Sequence, residues 1–363
     1  MPFEIVPAGT KIDFIGKRTI CAAISGAVLL AGLIAIPIQG VRLGIDFAGG
    51  SEMQVLFESA EGANEGAIRN VAGVCGVPDP SVVRYGETDA AEFLIRFRTD
   101  VDGSEGEFVA SADCPLTDAD HERLAKAAES GGGEGGVGEK GEIVDRLAFA
   151  LTNAIGPLTV QRVEYVGPRV GAELRRDGFL AMGIASLMIL AYIAFRFSAR
   201  FAPGAIVALL HDVGITAGIF VIFGMEFDLR VLAALLAIIG YSLNDTIIIY
   251  DRIRENMALR TKHDLVEVLN LSVNQTLART ILTSGTTMAA VLALLFLGGE
   301  VIEPFAIAMA IGILVGTYSS IFIAAPVLLF LERRFGEARQ PRAAAPKPKA
   351  KAATATRRKR KRA

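Results

Sequence analysis

Histidine and cysteine are scarce in this chain, with three of each among 363 residues. Their spacing matches no ligand pattern of a zinc or other metal site. The only histidine between the first two long apolar segments is His121, so a Ser-His-Asp catalytic triad has little support there. These shortages argue against an enzyme and against a bound metal or other cofactor.

Alternation of apolar and polar residues is also missing from the apolar segments, which excludes a transmembrane β-barrel. Instead, 52% of the residues are hydrophobic, and the apolar residues fall in six continuous blocks. Each block is long enough to cross a hydrocarbon core of ~30 Å as a helix. The blocks are residues 19–38, 178–195, 204–224, 229–250, 280–298 and 303–331. The sequence therefore predicts a polytopic α-helical membrane protein with six transmembrane helices.

Basic residues in the short loops predict the orientation of these helices. Residues 1–18 and the loops at 196–200 and 251–264 carry Lys and Arg, whereas the turns on the opposite side are acidic. We therefore expect both termini in the cytoplasm and residues 39–177 on the outer side of the membrane. The first block lacks the cleavage pattern of a signal peptide and is predicted to remain as an anchor.

A strongly basic tail occupies residues 333–363, with 13 Lys or Arg and one acidic residue. Its other residues are mostly Ala and Pro, which cannot build a core, so we expect a disordered cytoplasmic segment. The simplest interpretation is an anchor on anionic membrane lipid. Contact with ribosomal RNA or an acidic partner is the alternative, and no specific nucleic-acid binding is predicted.

The segment at 39–177 is too long for a loop without structure. Its periodicity predicts the order β-α-β-β-α-β, which is typical of an α+β ferredoxin-like periplasmic domain. A Gly-rich, acidic stretch at about 100–141 interrupts this order and is interpreted as a mobile insert between the third strand and the second helix. Cys75 and Cys114 both lie in this domain. A disulfide between them is chemically possible, but the sequence leaves the pairing open.

Polar residues inside the apolar blocks are the candidate functional sites, because an Asp at the centre of a membrane helix costs about 2.5–3.5 kcal/mol to insert. Asp245 lies in the fourth block, and its best predicted partner is Arg279 at the edge of the fifth. His211 and Asp212 lie near the middle of the third block. A static buried ion pair that fixes helix register is the alternative for Asp245 and Arg279. The candidate supporting polar residues are Ser242, Asn244, Thr283, Ser284, Thr286 and Thr287.

Four motifs carry a family resemblance: "GIDFAGG" at 44–50, "LHDVGITAG" at 210–218, "GYSLNDTIIIYDRIREN" at 240–256 and "LARTILTSGTT" at 277–287. In this order they resemble the SecF family, over about residues 10–335. The resemblance implies one six-helix half of a transporter of the resistance-nodulation-division (RND) superfamily, with SecD as the other half. It further implies that the complex uses the proton motive force to assist the export of unfolded preproteins through the SecYEG channel, with YajC as a further candidate partner. Asp245 and Arg279 match residues implicated in proton conduction in this family, and Asp212 is a less certain addition.

Two other functions fit the sequence less well. Half of an RND-type small-molecule exporter would need a deep outer domain with a substrate cleft, and a domain of about 140 residues is small for that purpose. An intramembrane protease would need a metal pair or a catalytic dyad, and Asp245 lacks the "GxGD" context of such enzymes. The sequence does not decide whether the motive ion is H⁺ or Na⁺.

Overall fold

The chain consists of a bundle of membrane helices and a small α/β domain that follows the first helix. The computed structural model describes residues 7, 10–59, 62–77, 80–85, 91–97, 114–130, 139–197, 200–259, 264–299 and 301–336. The first elements are α1 Arg18–Gln39, α2 Ile45–Ala48, β1 Gly50–Phe57, α3 Glu65–Val74, β2 Ser81–Tyr85, β3 Glu92–Phe97, α4 Asp118–Ser130, α5 Glu139–Ala154 and β4 Leu158–Val166. The membrane helices that follow are α6 Pro168–Arg196, α7 Ala202–Ile222, α8 Leu229–Leu259, α9 Leu265–Leu297, α10 Glu303–Ser319 and α11 Ala325–Leu331.

Six helical segments of the described chain are long and apolar enough to cross a membrane, which confirms the predicted fold class. The last of them joins α10 to α11 through a π-helical segment, Ser320–Ala324. Several helices extend past the apolar blocks. Helix α6, for example, begins at Pro168, because proline is well suited to the first turn of a helix and its missing N–H leaves no helical hydrogen bond unmade.

Helices α7, α8 and the sixth span form the inside of the bundle. In the most apolar 18-residue stretch of these three spans, 50%, 50% and 56% of the residues are buried inside the protein. The corresponding shares for α1, α6 and α9 are 17%, 11% and 17%. Gly312 and Gly316 of α10 lie on one helix face and allow close approach to α8. A Cβ atom at Gly316 would lie only 2.9 Å from the Cβ atom of Ser242. This close packing places the polar residues of α8 and α10 against each other.

The α/β domain from β1 to β4, named the outer domain after its predicted side of the membrane, has the predicted ferredoxin-like topology. Its four strands form an antiparallel sheet in the order β2-β3-β1-β4. Helices α3 and α5 cover one face of the sheet, since apolar residues recur at helical spacing on both. The core between them is formed by the buried side chains of Met53, Val55, Ile68, Ala72, Phe93, Ile95, Val144, Leu147 and Leu151.

The predicted insert differs from a simple spacer because it contains a helix, α4. Thr117 and Asp120 cap this helix reciprocally: the Thr117 N–H donates to Asp120 Oδ2 at 3.0 Å, and the Asp120 N–H donates to Thr117 Oγ1 at 3.3 Å. The amide of Asn153 in α5 also donates to Asp120, at 2.8 Å. Cys75 and Cys114 form a disulfide that ties the residues just before α4 to the end of α3. Residues 100–113 and 131–138 of the insert, and 337–363 of the basic tail, lie outside the described residues.

The two connections between the outer domain and the membrane meet at one place. The predicted bend at Gly49 and Gly50 is confirmed, with φ angles of 77° and 146° that favour glycine. A Cβ atom at Gly49 would lie 2.7 Å from the Cα atom of Pro168, where α6 begins. Glycine is therefore required here both for the backbone conformation and for the close approach of α6.

Candidate functional site

Asp245 lies in the middle of the membrane bundle and is 2% exposed. Its carboxylate contacts α9, where Ser284 Oγ donates to Oδ2 at 3.1 Å and Thr283 Oγ1 donates to Oδ1 at a longer 3.4 Å. Ser284 in turn accepts a hydrogen bond of 2.8 Å from Thr317 Oγ1 of α10. A line of hydroxyl groups therefore connects the Asp245 carboxylate of α8 to both neighbouring helices.

The predicted partner Arg279 lies one turn before Thr283 on α9, and its side chain is exposed. Among the contacts of the described residues, no ion pair joins Arg279 to Asp245. In this conformation hydroxyl groups, rather than the guanidinium, contact Asp245.

Asp212 forms a second buried carboxylate site, 1% exposed, where α7 meets α8 and α10. Ser319 Oγ donates to Asp212 Oδ2 at 2.8 Å, and Ser242 Oγ donates to the same oxygen. The ring nitrogen Nδ1 of His211 lies 2.9 Å from Asp212 Oδ1. Three helices therefore contribute polar contacts to this carboxyl group.

The contacts of His211 extend this site to α1. Its Nε2 atom lies 2.9 Å from Ser25 Oγ, which donates to the hydroxyl of Tyr318 at 3.1 Å. Tyr318 then donates to the carbonyl oxygen of Cys21 at 2.7 Å. The imidazole and phenol rings also stack, with centroids 6.0 Å apart. A continuous row of polar groups therefore leads from Asp212 to the backbone of α1.

The two sites meet on one short stretch of α10. Thr317 donates to Ser284, which itself donates to Asp245. Two residues later, Ser319 donates to Asp212. The π-helical segment begins at the next residue, Ser320. Segments of this kind occur frequently at functional sites, because they interrupt the regular hydrogen bonds of a helix.

The structure brings together only part of the predicted set. Thr283 and Ser284 contact Asp245, but Ser242 contacts Asp212 instead. Asn244 is exposed on another face of α8, and Thr287 donates to a carbonyl of its own helix at 2.9 Å, as Thr286 also does. The sequence interpretation missed Ser25, Thr317, Tyr318 and Ser319. The run "GTYSS" at 316–320, polar residues within an apolar block, is the signal that marks three of them.

An ionic link joins the outer domain to the membrane bundle. Arg96 of β3 pairs with Glu52 of β1, with Nε and Oε2 2.6 Å apart, and with Glu226 in the loop before α8. Burial opposes the charged guanidinium, but the two carboxylates outweigh it and raise the pKa of Arg96 above its ordinary value. Arg96 therefore stays charged at any physiological pH and holds the sheet against the loop that leads into α8.

Two protein-family models match this chain, one over the membrane bundle and one around the first connection to the outer domain. The family described as protein export membrane protein SecD/SecF, C-terminal, matches residues 148–334, which include both carboxylate sites. The SecD/SecF GG motif matches residues 34–61, which include the bend at Gly49 and Gly50.

Relatives that match over most of this chain are named protein translocase subunit SecF. Protein translocase subunit SecF of Calditerrivibrio nitroreducens is 39% identical over 331 residues, covering 91% of this chain and 97% of the relative. The corresponding subunit of Pseudomonas aeruginosa is 40% identical over 332 residues, covering 92% and 95%. The crystal structure of SecDF, a translocon-associated membrane protein from Thermus thermophilus, is similar with a TM-score of 0.71 and 31% identity. That match covers 92% of this chain but 40% of the SecDF chain.

Proposed function

The chain belongs to the SecF family of protein translocase subunits, and we propose that it forms half of a proton-driven complex that assists protein export. A SecD-like protein is the proposed other half, since the similar SecDF chain is more than twice as long as the matched region. The SecYEG channel, YajC and unfolded preproteins are the proposed further partners. The proposed location is the inner membrane, with both termini in the cytoplasm.

The observation that carries this proposal is the hydroxyl-lined setting of Asp245. The hydroxyl groups of Thr283 and Ser284 donate hydrogen bonds to an ionised carboxylate, and hydroxyl oxygens also accept a hydrogen from a protonated one. A guanidinium in direct contact would instead favour the ionised form alone. Asp245 is therefore suited to gain and lose a proton within the membrane.

We assign Arg279 to the step in which Asp245 releases its proton. Its exposed position on α9 allows the guanidinium to meet the carboxylate when the helices move relative to each other. The positive charge then stabilises the ionised form, so protonation depends on conformation. One elementary charge that crosses 100 mV releases about 2.3 kcal/mol. Conformations that differ by a few kcal/mol can be driven by energy of this size.

The proposed path to the outer domain runs through α8. This helix carries Asp245, and the loop before it carries Glu226, which pairs with Arg96 of the sheet. A shift of α8 that accompanies protonation would act on Glu226 and then on β3. In this proposal the outer domain moves with each proton cycle and handles exported chains by its surface.

The test is Asp245→Asn, with Asp251→Asn as the matched control on the same helix. Asparagine keeps size and hydrogen bonding but does not exchange a proton, whereas Asp251 is exposed and pairs with Arg254 at 2.7 Å. We expect Asp245→Asn to assemble at normal abundance and to lose gradient-stimulated translocation in inverted membrane vesicles, while Asp251→Asn keeps it. Arg279→Lys should show partial loss, because lysine keeps the charge but not the planar fork.

Two results would contradict this proposal. The first is normal stimulation by the gradient in Asp245→Asn at normal abundance. The second is low abundance with normal activity per assembled complex, which a purely structural role of Asp245 predicts. The proposed orientation is tested separately by cysteine labelling of intact spheroplasts, where reagent should reach a cysteine introduced in the outer domain and not one introduced in the tail.

A further inference from the structure

We propose that His211 and Asp212 together hold one exchangeable proton and form a second proton-binding site beside Asp245. The role of this site in export rests on the proposed function. Its protonation state, by contrast, is a property of the chain and is measured without transport.

The backbone carbonyl of Cys21 fixes the direction of the hydrogen bonds in the row from Cys21 to His211. A carbonyl oxygen only accepts, so Tyr318 donates its one hydroxyl hydrogen to Cys21. The contact between Ser25 and Tyr318 then needs the hydrogen of Ser25. Because Ser25 has no second hydrogen on its oxygen, its contact with Nε2 of His211 requires a hydrogen on Nε2.

With a hydrogen on Nε2, a neutral His211 and an ionised Asp212 have no hydrogen left for the contact between Nδ1 and Oδ1. A neutral imidazole with its hydrogen on Nε2 has a bare Nδ1, and an ionised carboxylate also has no hydrogen. Two bare acceptors repel each other at 2.9 Å, the distance between Nδ1 and Oδ1. One further proton must therefore lie on either atom. The pair is then either an imidazolium with a carboxylate or a neutral imidazole with a carboxyl group, and its net charge is zero in both cases.

The surroundings favour a neutral pair. From α8 and α10, Ser242 and Ser319 donate to the other carboxylate oxygen, and neither carries a charge. The other titratable side chain in this row is Tyr318 of α10, which keeps its hydroxyl hydrogen and donates it to the backbone carbonyl of Cys21. Within the described contacts His211 is therefore the one available counter-charge for Asp212, and an isolated ion at this depth would be costly.

Helix α10 connects this proton to the one on Asp245. Ser319 contacts Asp212, and Thr317 contacts the serine that binds Asp245. A shift of α10 that changes one contact also moves the other, since the two residues lie within one helical turn. The two carboxylates are thus placed to exchange protons in a coordinated way.

The first experiment measures the ring of His211 directly. The protein is labelled with ¹⁵N-histidine, reconstituted in bilayers with its SecD-like partner, and studied by solid-state NMR at pH 7. Because the chain has three histidines, His121→Gln and His263→Gln leave the signal of His211 alone. We expect Nε2 to carry a hydrogen. A ring with its hydrogen on Nδ1 and a bare Nε2 would overturn the proposal, because that tautomer needs no additional proton.

Removal of one hydroxyl group tests the cause of this state. In Tyr318→Phe the Ser25 hydroxyl is free to donate to Nε2, so the row of contacts no longer requires a hydrogen on that atom. We expect the fraction of rings with a hydrogen on Nε2 to fall in this variant. Tyr250→Phe is the matched control, because Tyr250 is buried and donates to the carbonyl of Ala324 at 3.1 Å, outside the row. Identical ring signals in both variants would refute the argument from hydrogen-bond direction.

Asp212→Asn tests the role in export. The amide can donate to a neutral His211, so the contact and the assembly are kept, but no proton is exchanged. We expect loss of gradient-stimulated translocation at normal abundance. Full stimulation would overturn the functional role of this pair, even while Asp245→Asn still abolished it. Full stimulation in Asp245→Asn, in contrast, would count against the proposed function itself.

Discussion

Alanine at three glycines of the bundle should have effects that differ in size and even in sign. At Gly316 the new Cβ atom would lie 2.9 Å from Ser242 Cβ and 3.3 Å from Ser242 Cα, so relief requires the helix backbones to separate. At Gly312 it would meet three atoms of the Ile238 side chain, with Cδ1 at 2.2 Å, Cγ1 at 2.3 Å and Cγ2 at 2.9 Å, and this β-branched side chain is stiff at χ1. At Gly240 of α8 nothing lies within 4 Å.

The expected magnitudes follow from two opposing effects. Overpacking costs about 1–3 kcal/mol, whereas Gly→Ala within a helix gains about 0.5–1 kcal/mol. Gly316→Ala should therefore lower the free energy of unfolding by about 1–2 kcal/mol. Gly312→Ala should lower it by at least as much, and Gly240→Ala should leave it unchanged or raise it.

The assay is reversible unfolding of the purified chain in mixed micelles, followed by circular dichroism. Gly316→Ala carries a further expectation, because Ser242 of α8 and Ser319 of α10 both donate to Asp212 Oδ2, and separation of α8 and α10 disturbs this shared contact. Gradient-stimulated translocation should therefore fall in Gly316→Ala more than in Gly312→Ala. Equal unfolding free energies for Gly316→Ala and Gly240→Ala would refute the close contact of α8 and α10.

Three further predictions concern the outer domain and the N-terminal segment. Cys75→Ser should destabilise the outer domain by about 4 kcal/mol, since its bond to Cys114 spans 39 residues; thermal unfolding with and without reductant measures this. Arg96→Gln should increase amide hydrogen exchange in the loop before α8, and an unchanged rate would contradict the ionic link. Hydrogen bonds from the Gly16 N–H and the Asn270 amide lower the pKa of Asp13. The contact between Asp13 and Asn270 of α9 should therefore persist at neutral pH and be lost as the pH falls through that lowered pKa. Amide exchange at residues 14–18 checks this, and Asp13→Ala should abolish the acid dependence.

The sequence predicted the architecture well, because that architecture depends on patterns that repeat over many residues. Six apolar blocks, the β-α-β-β-α-β order and the bend at Gly49 and Gly50 are each visible locally. The helix α4 was missed, because the glycines and acidic residues around it obscured the capping pair of Thr117 and Asp120.

The contacts of the site were harder to predict, since they join helices distant in the chain. Asp245 stands out by its insertion cost alone, but nothing in the sequence specifies which hydroxyl groups reach it. Ser25 and Ser319 are small residues in apolar helices, where most such residues serve packing. Only the crossing of α1, α8 and α10 over α7 shows that these two serines belong with His211 and Asp212.

The meeting of Gly49 with Pro168 has a mechanical consequence. The outer domain leaves the membrane at the start of β1 and returns at the end of β4, and these ends are paired, Gly50 with Val166. Two attachments side by side restrict tilting of the domain less than attachments at opposite edges would, and the ion pair of Arg96 with Glu226 is a further contact that limits it. A domain held in this way can tilt without stretching the chain, and its far edge sweeps much further than its base. In the proposed proton-driven cycle, where the energy per proton is fixed, a longer sweep would deliver a weaker pull, so this attachment would favour reach over force.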